Sequence, residues 1–119
     1  MKILKSQLKK LIKESTEEQI LRLNKVDGDF WCENNNLTSL QGAPKYVGGS
    51  FYCHFNNLTS LQGAPKYVGG YFSCHNNKLT SLQGVPKHVD GNFYCHNNIK
   101  KFTEEEVRAV CNAKGNIYV

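Results

Sequence analysis

Three cysteine-histidine pairs, Cys53-His54, Cys74-His75 and Cys95-His96, recur at intervals of 21 residues. Thiol and imidazole are both zinc ligands, so metal binding is the first chemistry to weigh. The surrounding pattern argues against it. A phenylalanine stands two residues before each of four cysteines: Phe30 before Cys32, Phe51 before Cys53, Phe72 before Cys74 and Phe93 before Cys95. Phe-x-Cys is apolar at alternate positions, with glycine before it and asparagine after, as in a short half-buried strand. Neighbouring side chains on a strand leave by opposite faces, so the thiol and imidazole of one pair cannot hold the same ion. The cysteines are expected to stack beside the phenylalanines as small core fillers. A buried disulfide or a thiolate metal site is the sharper alternative.

The opposite face holds the residues with most to offer a ligand. Each strand sends out three side chains: Asp29, Trp31 and Glu33; Ser50, Tyr52 and His54; Tyr71, Ser73 and His75; Asn92, Tyr94 and His96. Strands ~4.8 Å apart align these into columns, one of Glu33, His54, His75 and His96, and one of Trp31, Tyr52, Ser73 and Tyr94. Folding has little use for exposed aromatic rings, whereas Tyr and Trp anchor protein interfaces. The expected partner-contact set is Asp29, Trp31, Glu33, Tyr52, His54, Tyr71, His75, Asn92, Tyr94 and His96. The competing readings are cross-strand pairs that only stabilise the sheet, a nucleotide or nucleic-acid surface that stacks bases on Tyr and Trp, and an ion shared by His54 and His75 or by His75 and His96. No complete ligand set is evident, and no nucleophile–base–orienter set, phosphate loop or separated carboxylate pair appears. The chain therefore reads as non-enzymatic, with no cofactor and no metal.

The elements that position these residues are repeats. Val26, Val47, Val68 and Val89 stand six residues before the four cysteines, and Gly28, Gly49, Gly70 and Gly91 stand four before. Asn35, Asn56, Asn77 and Asn98 follow each cysteine by three residues, then come Leu37, Leu58 and Leu79, with Leu40, Leu61 and Leu82 beyond. In the fourth copy Ile99 and Phe102 are expected at the two leucine places. Gly42-Ala43-Pro44, Gly63-Ala64-Pro65 and Gly84-Val85-Pro86 forbid a helix in the return path, which reads as irregular. One unit cannot bury its own apolar residues, so the copies must stack. Ser39, Ser60 and Ser81, beside Thr38, Thr59 and Thr80, can bond to turn backbone. Lys45, Lys66 and Lys87, beside Tyr46, Tyr67 and His88, form a basic-aromatic strip on the convex side.

Phe30-x-Cys32-x-x-Asn35-x-Leu37, repeated from Phe51 and from Phe72, resembles the signature of leucine-rich repeats, with Phe and Cys at two places where Leu is usual. The short period and the Leu-Thr-Ser-Leu followed by Pro are similar to the bacterial and bacteriophage style of that family. The resemblance covers roughly residues 26–102. It implies a right-handed α/β solenoid, a short arc with a parallel sheet on its concave side and loops on its convex side. It also implies that Asn35, Asn56, Asn77 and Asn98 turn inward as a hydrogen-bonding ladder.

Both ends read as helical caps on a single domain. Residues 1–25 suit two short helices: Leu4, Leu8, Leu11 and Ile12 share one face, and Ser15 with Glu18 has capping-box spacing. Residues 103–119 suit a helix opened by Thr103 and Glu106 and running to about Ala113, with Val107, Val110 and Cys111 buried and Ile117-Tyr118-Val119 as a last strand or hook. The net charge is +5, of which residues 1–25 hold +4, residues 26–99 zero and residues 100–119 +1. Neutral repeats weaken a nucleic-acid reading, because phosphate contacts need clustered Lys or Arg. No window approaches ~18 apolar residues, and lysines interrupt every N-terminal apolar run, so neither a membrane partner nor export is expected. A cytoplasmic setting with five reduced cysteines follows. The partner is expected to be a protein, and its identity stays open.

Overall fold

The computed structural model describes residues 24–119. Among them the chain winds about four times as a parallel β-solenoid. Ten two-residue strands alternate between two sheets: β1 (Lys25–Val26), β2 (Phe30–Trp31), β3 (Tyr46–Val47), β4 (Phe51–Tyr52), β5 (Tyr67–Val68), β6 (Phe72–Ser73), β7 (His88–Val89), β8 (Phe93–Tyr94), β9 (Asn112–Ala113) and β10 (Ile117–Tyr118). The first sheet has the order β10-β8-β6-β4-β2 and the second the order β1-β3-β5-β7-β9. Equivalent residues pair across successive turns, Phe30 with Phe51 and Phe51 with Phe72, so the 21-residue period becomes the register itself.

The first sheet lies where Phe-x-Cys predicts it. Phe51 N–H donates to the Tyr71 carbonyl at 2.8 Å and Cys53 N–H to the Ser73 carbonyl at 2.9 Å, so each cysteine stays in the ladder just past its strand. Phe30 stacks on Phe51 at 5.4 Å and Phe51 on Phe72 at 5.7 Å, Phe93 packs tilted against Phe72 at 5.3 Å, and with the four cysteines they are essentially inaccessible to solvent. Val47, Val68 and Val89 complete one continuous core with the leucines.

The second sheet corrects the expectation of an irregular return. Tyr46-Val47 and its equivalents alternate outward and inward, which is strand behaviour, but only for two residues. Pro44, Pro65 and Pro86 lie two residues upstream and have no N–H to give, so the strand cannot extend and its pattern is too short to read. Turns at Leu40–Ala43 and its equivalents close with Ala43 N–H on the Leu40 carbonyl at 3.0 Å, and Gly42, Gly63 and Gly84 adopt φ of 92°, 95° and 86° there.

The inward asparagines form the ladder that the repeat implies. Asn77 Nδ2 donates to the carbonyls of Cys53 and Cys74, both at 3.1 Å, while its Oδ1 accepts from Leu58 N–H at 3.0 Å. Asn98 does the same one turn later, on Cys74, Cys95 and Leu79. Ser39, Ser60 and Ser81 accept from the N–H two residues ahead, as expected. In the fourth copy only half the expected substitution holds. Phe102 is buried, but Ile99 is 67% exposed.

The ends depart further. The N-terminal helical cap expected over residues 1–25 lies, up to residue 23, outside the described residues, and Lys25 begins β1 instead. At the other end α1 (Glu104–Val110) opens on the predicted capping box, with Thr103 Oγ1 accepting from Glu106 N–H at 3.1 Å and Glu106 Oε1 from Thr103 N–H at 3.3 Å. It stops at Val110, not Ala113, because residues 112–113 pair with the open edge of β7. Asn112 N–H reaches the Lys87 carbonyl at 2.8 Å and Lys114 N–H the Val89 carbonyl at 2.9 Å. Val110, expected in the buried stripe, is 45% exposed, whereas Val107 and Cys111 are buried. Lys114 pairs with Asp90 at 3.5 Å and does not cap the helix. Residues 103–119 thus make one helix, shorter than expected, followed by a fifth strand on each sheet, the second of them at Ile117–Tyr118 where a last strand was expected.

Candidate functional site

Strand alternation turns the Phe and Cys side chains inward and leaves the outward columns on the first sheet as a continuous face. Trp31 and Tyr52 stack at 5.8 Å with planes 12° apart. Tyr94 stacks on Tyr118 at 4.9 Å and 6°. Ser73 stands between these two pairs and is only 3% exposed. The histidines form a second column, His54 on His75 and His75 on His96, each at 4.6 Å and nearly parallel. Glu33 occupies the same column one turn earlier.

The remaining column has a structural task. Asp29 Oδ1 accepts from Ser50 N–H at 2.7 Å, Ser50 Oγ from Tyr71 N–H at 2.8 Å, and Asn92 Oδ1 from Asn116 N–H at 2.9 Å. These side chains tie three of the four steps between turns, which gives Asp29 and Asn92 a structural role. Tyr71, in the same column, is 44% exposed and sits edge-on to Tyr94 at 6.0 Å. Tyr52, Tyr71, Ser73, Tyr94 and the three histidines line an open cleft of about 440 Å³.

Two members of this face were not legible as such. Tyr118 extends the aromatic column by one ring because β10 continues the first sheet. Phe55 is 50% exposed and lies edge-on to His54 at 5.5 Å and to His75 at 6.0 Å. Its backbone takes φ of 55° where Asn34, Asn76 and Asn97 stand in the other turns with φ of 59°, 55° and 54°. Asparagine tolerates this left-handed conformation and phenylalanine does not favour it, so the broken asparagine column was the available signal.

The chemistry open to these groups is narrow. Burial pushes the Cys32 and Cys95 thiols up to about 12 and the Cys111 thiol up to about 11. Cys53 and Cys74 are raised by the same cause, and all five cysteines are free thiols. Thiolates are therefore suppressed on the core side, away from the imidazoles. Stacked imidazoles aim their ring nitrogens in parallel, so adjacent histidines do not converge on one ion. Among the described residues, no group of three or more His, Cys, Asp or Glu is placed to hold a metal.

Burial also favours neutral imidazole. It lowers His54 against the opposing pull of Glu33, and, with His54 and His96 alongside, it brings His75 down to about 4. The unfolded chain then takes up a proton near pH 6.5 that the folded chain refuses until about pH 4. Stability is expected to fall as pH drops through that window, modestly because solvent reaches the ring. Urea unfolding at pH 7 and pH 4.5 should show this, and His75→Asn should flatten the difference. An unchanged pH dependence in that variant would refute the assignment.

On the second sheet Tyr46 and Tyr67 stack at 4.8 Å, with Lys25 Nζ 5.5 Å from the Tyr46 ring. The Tyr67 hydroxyl donates to Asp90 at 2.6 Å, a bond that holds the Asp90 carboxyl below its ordinary value. The basic-aromatic strip thus lies on a sheet, not on irregular loops. Comparison with protein-family models, with curated proteins and with solved structures finds no match.

Proposed function

We propose that this chain is a non-enzymatic binding module that captures a protein partner on the outer face of the first sheet. One observation carries the reading: the half-buried rings of Trp31, Tyr52 and Tyr94 and the exposed ring of Tyr118 form two stacked pairs outside the core. Aromatic anchors of this kind dominate protein interfaces, and their rigidity limits the entropy lost on docking. His54, His75, His96 and the exposed Phe55 and Tyr71 enlarge the contact. Five strands span only ~20 Å, so the epitope is small or reaches beyond the sheet.

The leucine-rich-repeat resemblance makes the molecule an arc with this face on its concave side. The repeat style suggests a bacterial or phage modulator of a host protein, acting in the cytoplasm of the producing or host cell. The rival reading is a nucleotide or nucleic-acid surface that stacks bases on Tyr and Trp. Salt dependence separates the two: absence of oligonucleotide binding at low salt ends the rival.

Replacing Trp31, Tyr52, Tyr71 and Tyr94 together with Ala is expected to abolish partner capture while thermal unfolding stays cooperative. Affinity capture from the native cell with wild type and variant, read by mass spectrometry, checks this. Unchanged capture, or an unfolded variant, overturns the proposal.

A further inference from the structure

Lys45, Lys66 and Lys87 stand just before β3, β5 and β7 and are direct neighbours across three turns. The Lys45 carbonyl accepts from Lys66 N–H at 2.8 Å, and the Lys66 carbonyl from Lys87 N–H at 2.9 Å. We infer that this row is a second contact surface, which takes a short peptide segment of a protein partner carrying acidic and apolar side chains. It belongs to the second sheet and does not depend on the aromatic face of the first.

The ladder sets three like charges one strand spacing apart at the backbone, ~4.8 Å, and like charges directly opposite are destabilising. All three lysines are exposed, and the ion pairs among the described residues lie elsewhere, at Lys25–Asp27, Lys100–Glu106, Arg108–Glu104 and Lys114–Asp90. Folding therefore gains nothing from the charge of the row. The same lysines line a concave site of about 340 Å³ that has no Asp or Glu among its described residues. Apolar groups share that site. Leu82 is only partly buried there, although its equivalents Leu40 and Leu61 are fully buried, and Val110 at the end of α1 is 45% exposed.

A purely apolar ligand would strip water from the ammonium groups and give nothing back. Carboxylates beside apolar side chains satisfy both parts of the site, with charge-assisted hydrogen bonds to the lysines. Side chains at i and i+2 of an extended peptide lie ~7 Å apart, within reach of neighbouring flexible lysines.

The surroundings select a peptide over a nucleic acid. Asp27 and Asp90 follow β1 and β7 at the two ends of the strip, where they would repel a phosphodiester backbone. Tyr46 and Tyr67 stack on each other at 4.8 Å, and the Tyr67 hydroxyl is held by Asp90, so these rings are already engaged. A phosphodiester backbone also has nothing to lay against Leu82 and Val110.

The test titrates the full chain with a blocked Asp-Leu-Asp-Leu-Asp peptide, followed by NMR. An Asn-Leu-Asn-Leu-Asn peptide, an Asp-Gly-Asp-Gly-Asp peptide and a short oligothymidylate serve as controls. Shifts are expected at Lys45, Lys66, Lys87, Leu82 and Val110, far smaller with either control peptide. Lys66→Gln should weaken binding about threefold to fivefold, the worth of one exposed ion pair. Replacing all three lysines with Gln should abolish it, while urea unfolding stays at or above wild type because the repulsion is gone. An unfolded or markedly less stable triple variant would give the row a structural role and overturn the inference. Shifts that map elsewhere, that survive the triple replacement, or that are absent at ~1 mM peptide overturn it too. Equal binding of the asparagine peptide overturns the anionic requirement, and equal binding of the glycine peptide overturns the apolar one. Tighter binding of oligothymidylate at low salt overturns the choice of a peptide.

Discussion

Asn56→Ala is expected to destabilise the chain by about 3–5 kcal/mol, enough to consume much of the ~5–15 kcal/mol typical of a domain. The residue is 7% exposed, and its amide joins two turns. Oδ1 accepts from the N–H groups of Asn35 at 3.0 Å and Leu37 at 2.9 Å, while Nδ2 donates to the carbonyls of Cys32 at 3.1 Å and Cys53 at 3.0 Å. Alanine leaves those backbone groups beside an apolar core, and each unmade bond to a buried group costs about 1–3 kcal/mol, not fully additive. Asn97→Gly is the control. Asn97 is exposed with φ of 54°, a conformation glycine adopts freely, so its replacement should stay within about 0.5 kcal/mol. Urea unfolding of both variants decides the matter, and an Asn56→Ala loss below about 1 kcal/mol would refute the ladder's role.

Gly91→Ala is expected to cost about 2–4 kcal/mol, beyond the usual range for an added methyl group in a core. A Cβ at position 91 would sit 2.6 Å from the carbonyl carbon and oxygen of Gly70 and 2.8 Å from the Tyr71 ring. The obstacle is backbone of the adjacent turn, which cannot step aside without breaking the Gly91 N–H bond to the Gly70 carbonyl at 2.9 Å. Gly28, Gly49, Gly70, Gly91 and Gly115 share this corner, the last joining it through the strand pairing of residues 112–118. Thermal unfolding should show the loss, and a midpoint equal to wild type would mean the corner is looser than its geometry indicates.

Much of the core is legible in the order of residues alone. Phe51 and Cys53 flank Tyr52, and a period of two forces them to one side and Tyr52 to the other. The asparagines recur at a constant offset beside buried leucines, and a polar group in that position needs backbone partners. The features that are not legible have specific causes. Tyr46-Val47 is a strand of two residues, shorter than any alternation can reveal. Asn112-Ala113 follows a well-capped helix, and only the free edge of β7 draws it into a sheet. Ile99 follows Asn98 by one residue where Leu79 follows Asn77 by two, and a slip of one position is enough to turn it outward.

The candidate site divides in the same way. The columns of Trp31 and of His54 are legible because each repeats at 21 residues on the outward side. Phe55 and Tyr118 are not, since one departs from its column and the other lies 24 residues beyond Tyr94.

By itself, the sequence determined which residues of each turn face the core and which face outward, because that depends only on local alternation and on a repeat that forces identical units to stack. Tertiary structure alone decided that the return path carries a second sheet, that residues 112–118 add a fifth strand to each sheet, and that the glycines are a corner where turns touch. Those properties belong to the spacing between turns, which no single repeat contains.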